Sequence, residues 1–393
     1  MSLPNRDHMG ISRELAGAFG RRARAADRQG ELNPQDLSDL KASGWLGFAV
    51  PTAYNGPGLS FFECYESLLT LAKASTSTAL VAAMHMHITG HAFEHRNWSL
   101  ASLEKLAQCC LTGKLINAVA SEPVLGSPAR GGLAASRLLY RQGKYVLEGH
   151  KTWATGAGYL DYGIVLCQYQ ASPREEPQNV NVFAKLTSPE VVVEKTWGQG
   201  LALRASDSHD LIFNGLEIHR EDILASSNSQ NLWFPIMMAT TYFGAALAAE
   251  EQAIAFCQSR VPSALGKAII HLESIQRQLG EIHVQNMAAR ALLERIVTQW
   301  SNANDKRDPT LREAMYADAI AAKVFVIESA LKVTENCLRV VGGSSLSSSE
   351  VDIERYFRDV RAGLMHPPTG DKAYQHIARY LAKHAPLQGQ NEA

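Results

Sequence analysis

"SRLLYRQGKYVLEGHKTWAT", residues 136 to 155, is the stretch on which the fold turns. Its β-branched and aromatic residues come in short runs broken by glycine, the pattern of strands joined by tight turns. The neighbouring segments "KLINAVASE", "YGIVLCQYQ", "VNVFAKL", "EVVVEKTW" and "HDLIFNGLEI" share that character and are separated by Gly, Asn, Pro and Ser. Between about 116 and 225 the turn spacing therefore predicts a β-domain of six to eight strands. On either side the character changes. "NPQDLSDLKASGWLG" has an Asn/Asp-rich start and a glycine stop, and "FFECYESLLTLAKAS" places its apolar residues at helical spacing. From 229 to about 385 long helices return, interrupted by the polar "SNANDKRDPT" at 301 to 310. The expectation is an α+β chain of three domains: helical over 1–115, β over 116–228 and helical over 229–393.

At 393 residues, 46% hydrophobic and 20% charged, the chain is long enough for two or three packed units. Thirty-eight Lys and Arg against 39 Asp and Glu leave no electrostatic footprint for nucleic acid or an anionic membrane. Six cysteines at 64, 109, 110, 167, 257 and 337 form no CxxC pair and no zinc-like spacing, which suits a reduced, cytoplasmic setting. The charged N-terminal stretch lacks the apolar core of a signal peptide. One uncharged run, "NLWFPIMMATTYFGAALAA" at 231 to 249, approaches a membrane span in length. Its Thr, Gly, Ala and Pro235 content predicts instead a helix buried on all sides.

Three stretches carry chemistry. "AVPTAYNGPGLSFFE" (49–63) reads alone as a helix N-cap after a tight turn. "VASEPVLGSPARGG" (119–132) leaves a strand for a loop whose glycines let backbone N–H groups approach a ligand; a plain connector is the alternative. In "GHKTWATGAGY" (149–159) a flat indole sits beside a hydroxyl, which suits a planar heterocycle, though a core Trp beside a turn is the commoner arrangement. His85, His87 and His91 in "MHMHITGH" invite a metal reading, but no carboxylate–His motif accompanies them and no metal is expected.

Together and in this order, "VPTAYNGPGLSFFE", "SEPVLGS", "GHKTWATG", "GLALRASDSHDLIFNGLEI", "RVPSALGK" and "RVVGGSSL...ERYFRDVRA" resemble the acyl-CoA dehydrogenase superfamily of flavoproteins over almost the whole chain. The resemblance implies an N-terminal helical domain, a middle β-barrel or sandwich and a C-terminal four-helix bundle. It implies non-covalent FAD, with FMN the lesser alternative. Ala120 and Ser121 would contact the flavin ring, Ser127 a phosphate, and Trp153 and Thr155 the isoalloxazine face and its reactive edge. Arg260, Gly342 and Gly343 match positions that hold the ADP half across a subunit boundary, which implies a homodimer or homotetramer. Glu273 and Arg339 stand where the family usually has Gln.

The largest departure concerns the catalytic base. The family's dehydrogenases take the α-proton of an acyl thioester with a Glu at the position of Pro367, or, in a minority, at that of Phe234. Neither residue here can accept a proton. His366, beside the vacancy, is the nearest titratable candidate, with an imidazole suited to titrate near working pH. The resemblance thus implies a flavin-dependent oxidoreductase acting on an acyl thioester, carried by CoA or a carrier protein and served by an electron-transfer partner. Its alternative is a reduced-flavin monooxygenase of the same fold, fed by a flavin reductase, with His366 supporting a hydroperoxyflavin. "WATGAG" leans toward those oxygenases. A third possibility is a flavin-binding homologue without catalysis.

Overall fold

The computed structural model describes residues 7–95, 97–124, 132–172, 174–224, 230–347 and 350–385. Five helices come first: α1 (His8–Gln29), α2 (Pro34–Ser43), α3 (Phe61–Ala74), α4 (Thr76–His95) and α5 (Leu100–Leu111). Their boundaries follow local chemistry. Asn33 caps α2 by accepting from Gln35 N, with Pro34 at the first position. Ser60 and Glu63 form a reciprocal capping box on α3, each side chain satisfying an amide that the first turn leaves open.

Eight strands follow among the described residues: β1 (Ile116–Val119), β2 (Arg137–Arg141), β3 (Lys144–Ala154), β4 (Tyr162–Tyr169), β5 (Gln178–Lys185), β6 (Val191–Glu194), β7 (His209–Ile218) and β8 (Ile223–Leu224). They form one sheet in the order β6-β7-β3-β2-β4-β5-β8, with β1 pairing parallel to β4. The stretch that opened the sequence reading is the β2–β3 hairpin. Its two-residue loop, Gln142 and Gly143, has positive φ at both positions, matching the twist of the strands it joins.

The chain then returns to helices: α6 (Trp233–Ser259), α7 (Glu273–Ser301), α8 (Pro309–Val341), α9 (Ile353–Asp359) and α10 (Gly370–His384). The uncharged run lies in α6 and is buried on every face, as expected. Close packing sets its composition: a Cβ on Gly244 would stand 2.4 Å from that of Ala72 in α3. Among the described residues no helix is long and apolar enough to cross a membrane. One large core joins α3, α4, α6, α7, α8 and the inner face of the sheet.

The charge-dense turn at 358–361 fastens the three parts together. Arg358 makes paired hydrogen bonds to the buried carboxylate of Asp27 in α1, at 2.6 and 3.2 Å, and donates to Leu201 O of the sheet domain. Asp359, buried, accepts from Leu203 N at 2.7 Å. Burial pushes its pKa up to about 6 despite Arg355 and Arg358 nearby. These residues are structural staples.

Candidate active site

The ends of β1 and β3 are tied edge to edge. Thr152 N donates to Ser121 O at 3.0 Å, Lys151 Nζ to Ala120 O at 3.3 Å, and Asn117 Nδ2 to Thr155 O at 2.9 Å. Glu122, also bonded by Lys151, accepts from Ala135 N and Ser136 N. Burial raises its pKa, but those bonds outweigh it and hold the carboxyl below its ordinary range. Ala120, Ser121, Trp153 and Thr155, proposed from sequence, thus share one locus.

Trp153 is not a core residue. The β3–β7 register shifts between Lys151 and Ala154, and within that bulge Trp153 takes φ of 58°, leaving the side chain 58% exposed. A bulky aromatic in the left-handed region is a strained outlier of the kind that collects at functional sites. Bulges re-aim side chains, and this one turns a large apolar ring outward. Thr155 is buried, its hydroxyl 3.1 Å from Ser208 Oγ, which is in turn 2.8 Å from Ser206 Oγ. An exposed flat face, the end of a strand and a hydroxyl pair fit a planar heterocycle with polar edges. The other predicted contacts lie elsewhere. Arg260 sits exposed at the C-terminus of α6, and Gly342 and Gly343 are exposed at that of α8, where an added Cβ would meet nothing within 4 Å. Ser127 lies outside the described residues.

His366 follows α9 on a turn held from two sides. Tyr242 of α6 lies with its Oη 2.9 Å from His366 Nδ1. Lys323 of α8 donates to His366 O at 2.7 Å and to Pro368 O at 3.0 Å. The turn can reach both helices because position 363 is glycine: a Cβ there would stand 2.9 Å from Ile327 and 3.0 Å from Tyr242. Burial, assisted by the Lys323 charge, lowers the His366 pKa to about 4. That direction runs against the expectation that the ring titrates near working pH and favours the neutral imidazole. Burial keeps Tyr242 a phenol. A protonated phenol can donate to Nδ1 or accept from it, so this bond fixes the position of the ring whichever nitrogen carries the proton.

Sequence reasoning did not single out Tyr242 or Lys323, and it treated three histidines of α4 alike. The structure separates two of these. His85 is a structural link, its Nε2 at 2.8 Å from Leu46 O and its Nδ1 accepting from Ile116 N. His87 lies edge-on against Phe234, ring centres 4.9 Å apart, and its Nδ1 meets Asn231 Nδ2 at 3.2 Å. Its Nε2 is buried with no hydrogen-bond partner among the described residues. Burial lowers its pKa to about 3. Both positions where the dehydrogenases keep Glu, Pro367 and Phe234, are therefore non-ionisable here and adjoin a neutral histidine. The near-unpatterned alternation of His85 and His87 held no signal for this division; only their burial partners reveal it. Among the described residues no group of three His, Cys, Asp or Glu side chains could hold a metal ion. Two surface clefts, beside α1–α2 and beside β7, share no lining residue with either cluster.

Family comparison agrees with this architecture. The acyl-CoA dehydrogenase N-terminal, middle and C-terminal domain models match residues 12–95, 117–216 and 236–369. The chain belongs to the acyl-CoA dehydrogenase family. It is 29% identical to a putative acyl-CoA dehydrogenase of Bacillus subtilis, covering 93% of each chain. It is 28% identical to the amino sugar nitrososynthase of Streptomyces peucetius, covering 88% of this chain and 85% of that one. Among solved structures, the dibenzothiophene monooxygenase of Paenibacillus sp. A11-2 superposes with a TM-score of 0.83 at 19% identity, covering 96% and 97% of the two chains.

Proposed function

We propose that the protein is a reduced-flavin-dependent monooxygenase acting on a small organic molecule. The observation that carries this is the neutral, Tyr242-bonded His366 beside Pro367, where a dehydrogenase needs a carboxylate base. Ala120, Ser121, Trp153 and Thr155 would hold the flavin ring, with Ser127 at a phosphate. Arg260, Gly342 and Gly343 would hold the ADP half of FAD in a homodimer or homotetramer; with FMN they would be idle. When bound, reduced flavin would supply two electrons for activating dioxygen, with one oxygen atom going to the substrate and the other to water. The chain's part is to orient and to exclude water. Tyr242 holds the His366 ring in place, and a neutral imidazole offers a hydrogen bond without adding a charge. His87 Nε2 offers a second neutral group beside Phe234. A flavin reductase is the partner such chemistry requires, and six free, buried cysteines suit a reducing cytoplasmic setting.

Oxidation of an acyl thioester is the second reading, favoured by the Bacillus subtilis relative. Against it, an imidazole with a pKa of about 4 is poorly matched to abstracting a carbon-bound proton. One experiment separates them. Oxidised holoprotein is mixed anaerobically with a panel of acyl thioesters, and oxygen uptake is measured in parallel with reduced flavin supplied. Oxygen uptake with no thioester bleaching is expected; bleaching by any thioester would replace the oxygenase reading with the dehydrogenase one.

A further inference from the structure

The side chain of Lys323 is 2% exposed, yet it forms no ion pair among the described residues. Burial alone accounts for its depressed pKa, about 8, with no carboxylate raising it back. Its hydrogen-bond partners are main-chain carbonyls, not carboxylates. An uncompensated buried ammonium is costly and is replaceable by an apolar residue of similar volume, so stability does not explain its presence. Its two acceptors explain it better, for they are the carbonyls on either side of Pro367.

We propose that Lys323 is a positioning residue that clamps the 366–368 turn and so fixes the His366 imidazole against Tyr242. Two hydrogen bonds from one ammonium lock the backbone on both sides of the vacated position. The same charge disfavours a second positive charge on the ring. The titratable groups around the pair are Tyr242 from α6, Asp359 at the end of α9 and Lys323 itself from α8; the Asp359 carboxylate is engaged by Leu203 N. This inference uses the proposed function for its activity readout only; the geometric claim stands or falls on the ring.

The test compares wild type with Lys323→Met and Lys323→Gln, using full-length holoprotein whose histidines carry an NMR label; the His366 signal is assigned by its loss in His366→Ala. Lys323→Met should raise the His366 titration midpoint by roughly one pH unit or more, since a like charge is removed and the turn loosens. Lys323→Gln, which keeps a donor, should fold if Met does not, and should show the same upward shift with a tighter turn. Coupling of oxygen uptake to product should fall by as much as about 100-fold in Lys323→Met, the scale of a small misplacement in an active site. Unchanged His366 titration in both variants overturns the proposal, whatever the reaction proves to be. If the ring shifts but thioester bleaching appears in place of oxygen uptake, the clamp stands and the oxygenase reading falls.

Discussion

Replacing Trp153 distinguishes a cofactor platform from a core residue, because the two roles predict opposite partitions of the loss. The ring is 58% exposed, so folding removes only about two-fifths of its surface from water. Truncating a fully buried Trp costs about 3 to 5 kcal/mol, and the same fraction of that is about 1 to 2 kcal/mol for Trp153→Ala. Strain acts the other way. A φ of 58° costs a bulky residue about 1 to 3 kcal/mol, which glycine does not incur. Trp153→Gly should therefore be at least as stable as Trp153→Ala, the reverse of the usual order within a strand. Flavin binding should suffer more. Stacking of a heterocyclic base on an aromatic side chain contributes about 1 to 3 kcal/mol, which is about 5-fold to 150-fold in Kd. Urea unfolding of the flavin-free variants gives the first quantity, and titration of flavin fluorescence gives the second. A stability loss of core size with an unchanged flavin Kd would refute the reasoning.

Three further outcomes follow from the same structure. Tyr242→Phe removes the hydroxyl bonded to His366 Nδ1 while preserving the ring's packing; oxygen uptake should persist but divert to hydrogen peroxide, with product coupling down about 100-fold, read by peroxide and product assays. Arg358→Met strands the buried Asp27 carboxylate and should cost about 3 to 5 kcal/mol in denaturant unfolding; adding Asp27→Leu should recover part of that, and no recovery would mean that the staple acts through its bonds to Glu354 and Leu201 instead. His85 and His366 have folded pKa values of about 4 and His87 and His91 of about 3, all lowered chiefly by burial. Groups with depressed folded values stabilise the native state above their unfolded pKa near 6.5, and that contribution is lost as pH falls through the folded values. Stability should thus decline from about pH 6.5 toward pH 3 to 4. His85→Asn should flatten the decline by at most roughly 3 kcal/mol, the equivalent of its drop from 6.5 to about 4; an unaltered slope would show that its burial is relieved before unfolding.

What was legible in the sequence is what local chemistry decides. Asn33, Pro34, Ser60 and Glu63 announce their helices because caps satisfy amides within one turn. The buried character of α6 shows in its lack of charge. The Ala120–Ser121 and Trp153–Thr155 stretches could be placed by motif, although two of the contacts that join them, from Lys151 and Thr152, cross about 30 residues of chain. The exposure of Trp153 was not legible, since it arises from a bulge in the pairing of β3 with β7. Nor was the setting of His366. Its partners Tyr242 and Lys323 come from helices 124 and 43 residues away, and the residue types alone give no warning of a neutral ring. The same holds for Asp27 and Arg358, which are 331 residues apart.

The polar groups around the vacated base position also bear on whether the site has simply decayed. A site released from function should refill with apolar side chains, because each buried polar group costs free energy unless it is fully partnered. Pro367 and Phe234 alone would fit such a history. Their neighbours do not: among the described residues Lys323 is a buried cation without a counterion, Tyr242 spends its hydroxyl on His366, and His87 keeps a buried nitrogen without a protein partner. Three such groups beside Pro367 and Phe234 make a neutral hydrogen-bonding site where the family's dehydrogenases carry a carboxylate. A neutral hydrogen-bonding site of this kind is poorly suited to proton abstraction from carbon, which needs a competent base, and well suited to donating a hydrogen bond to a polar atom. On physical grounds, then, these buried polar groups are hard to account for by stability alone.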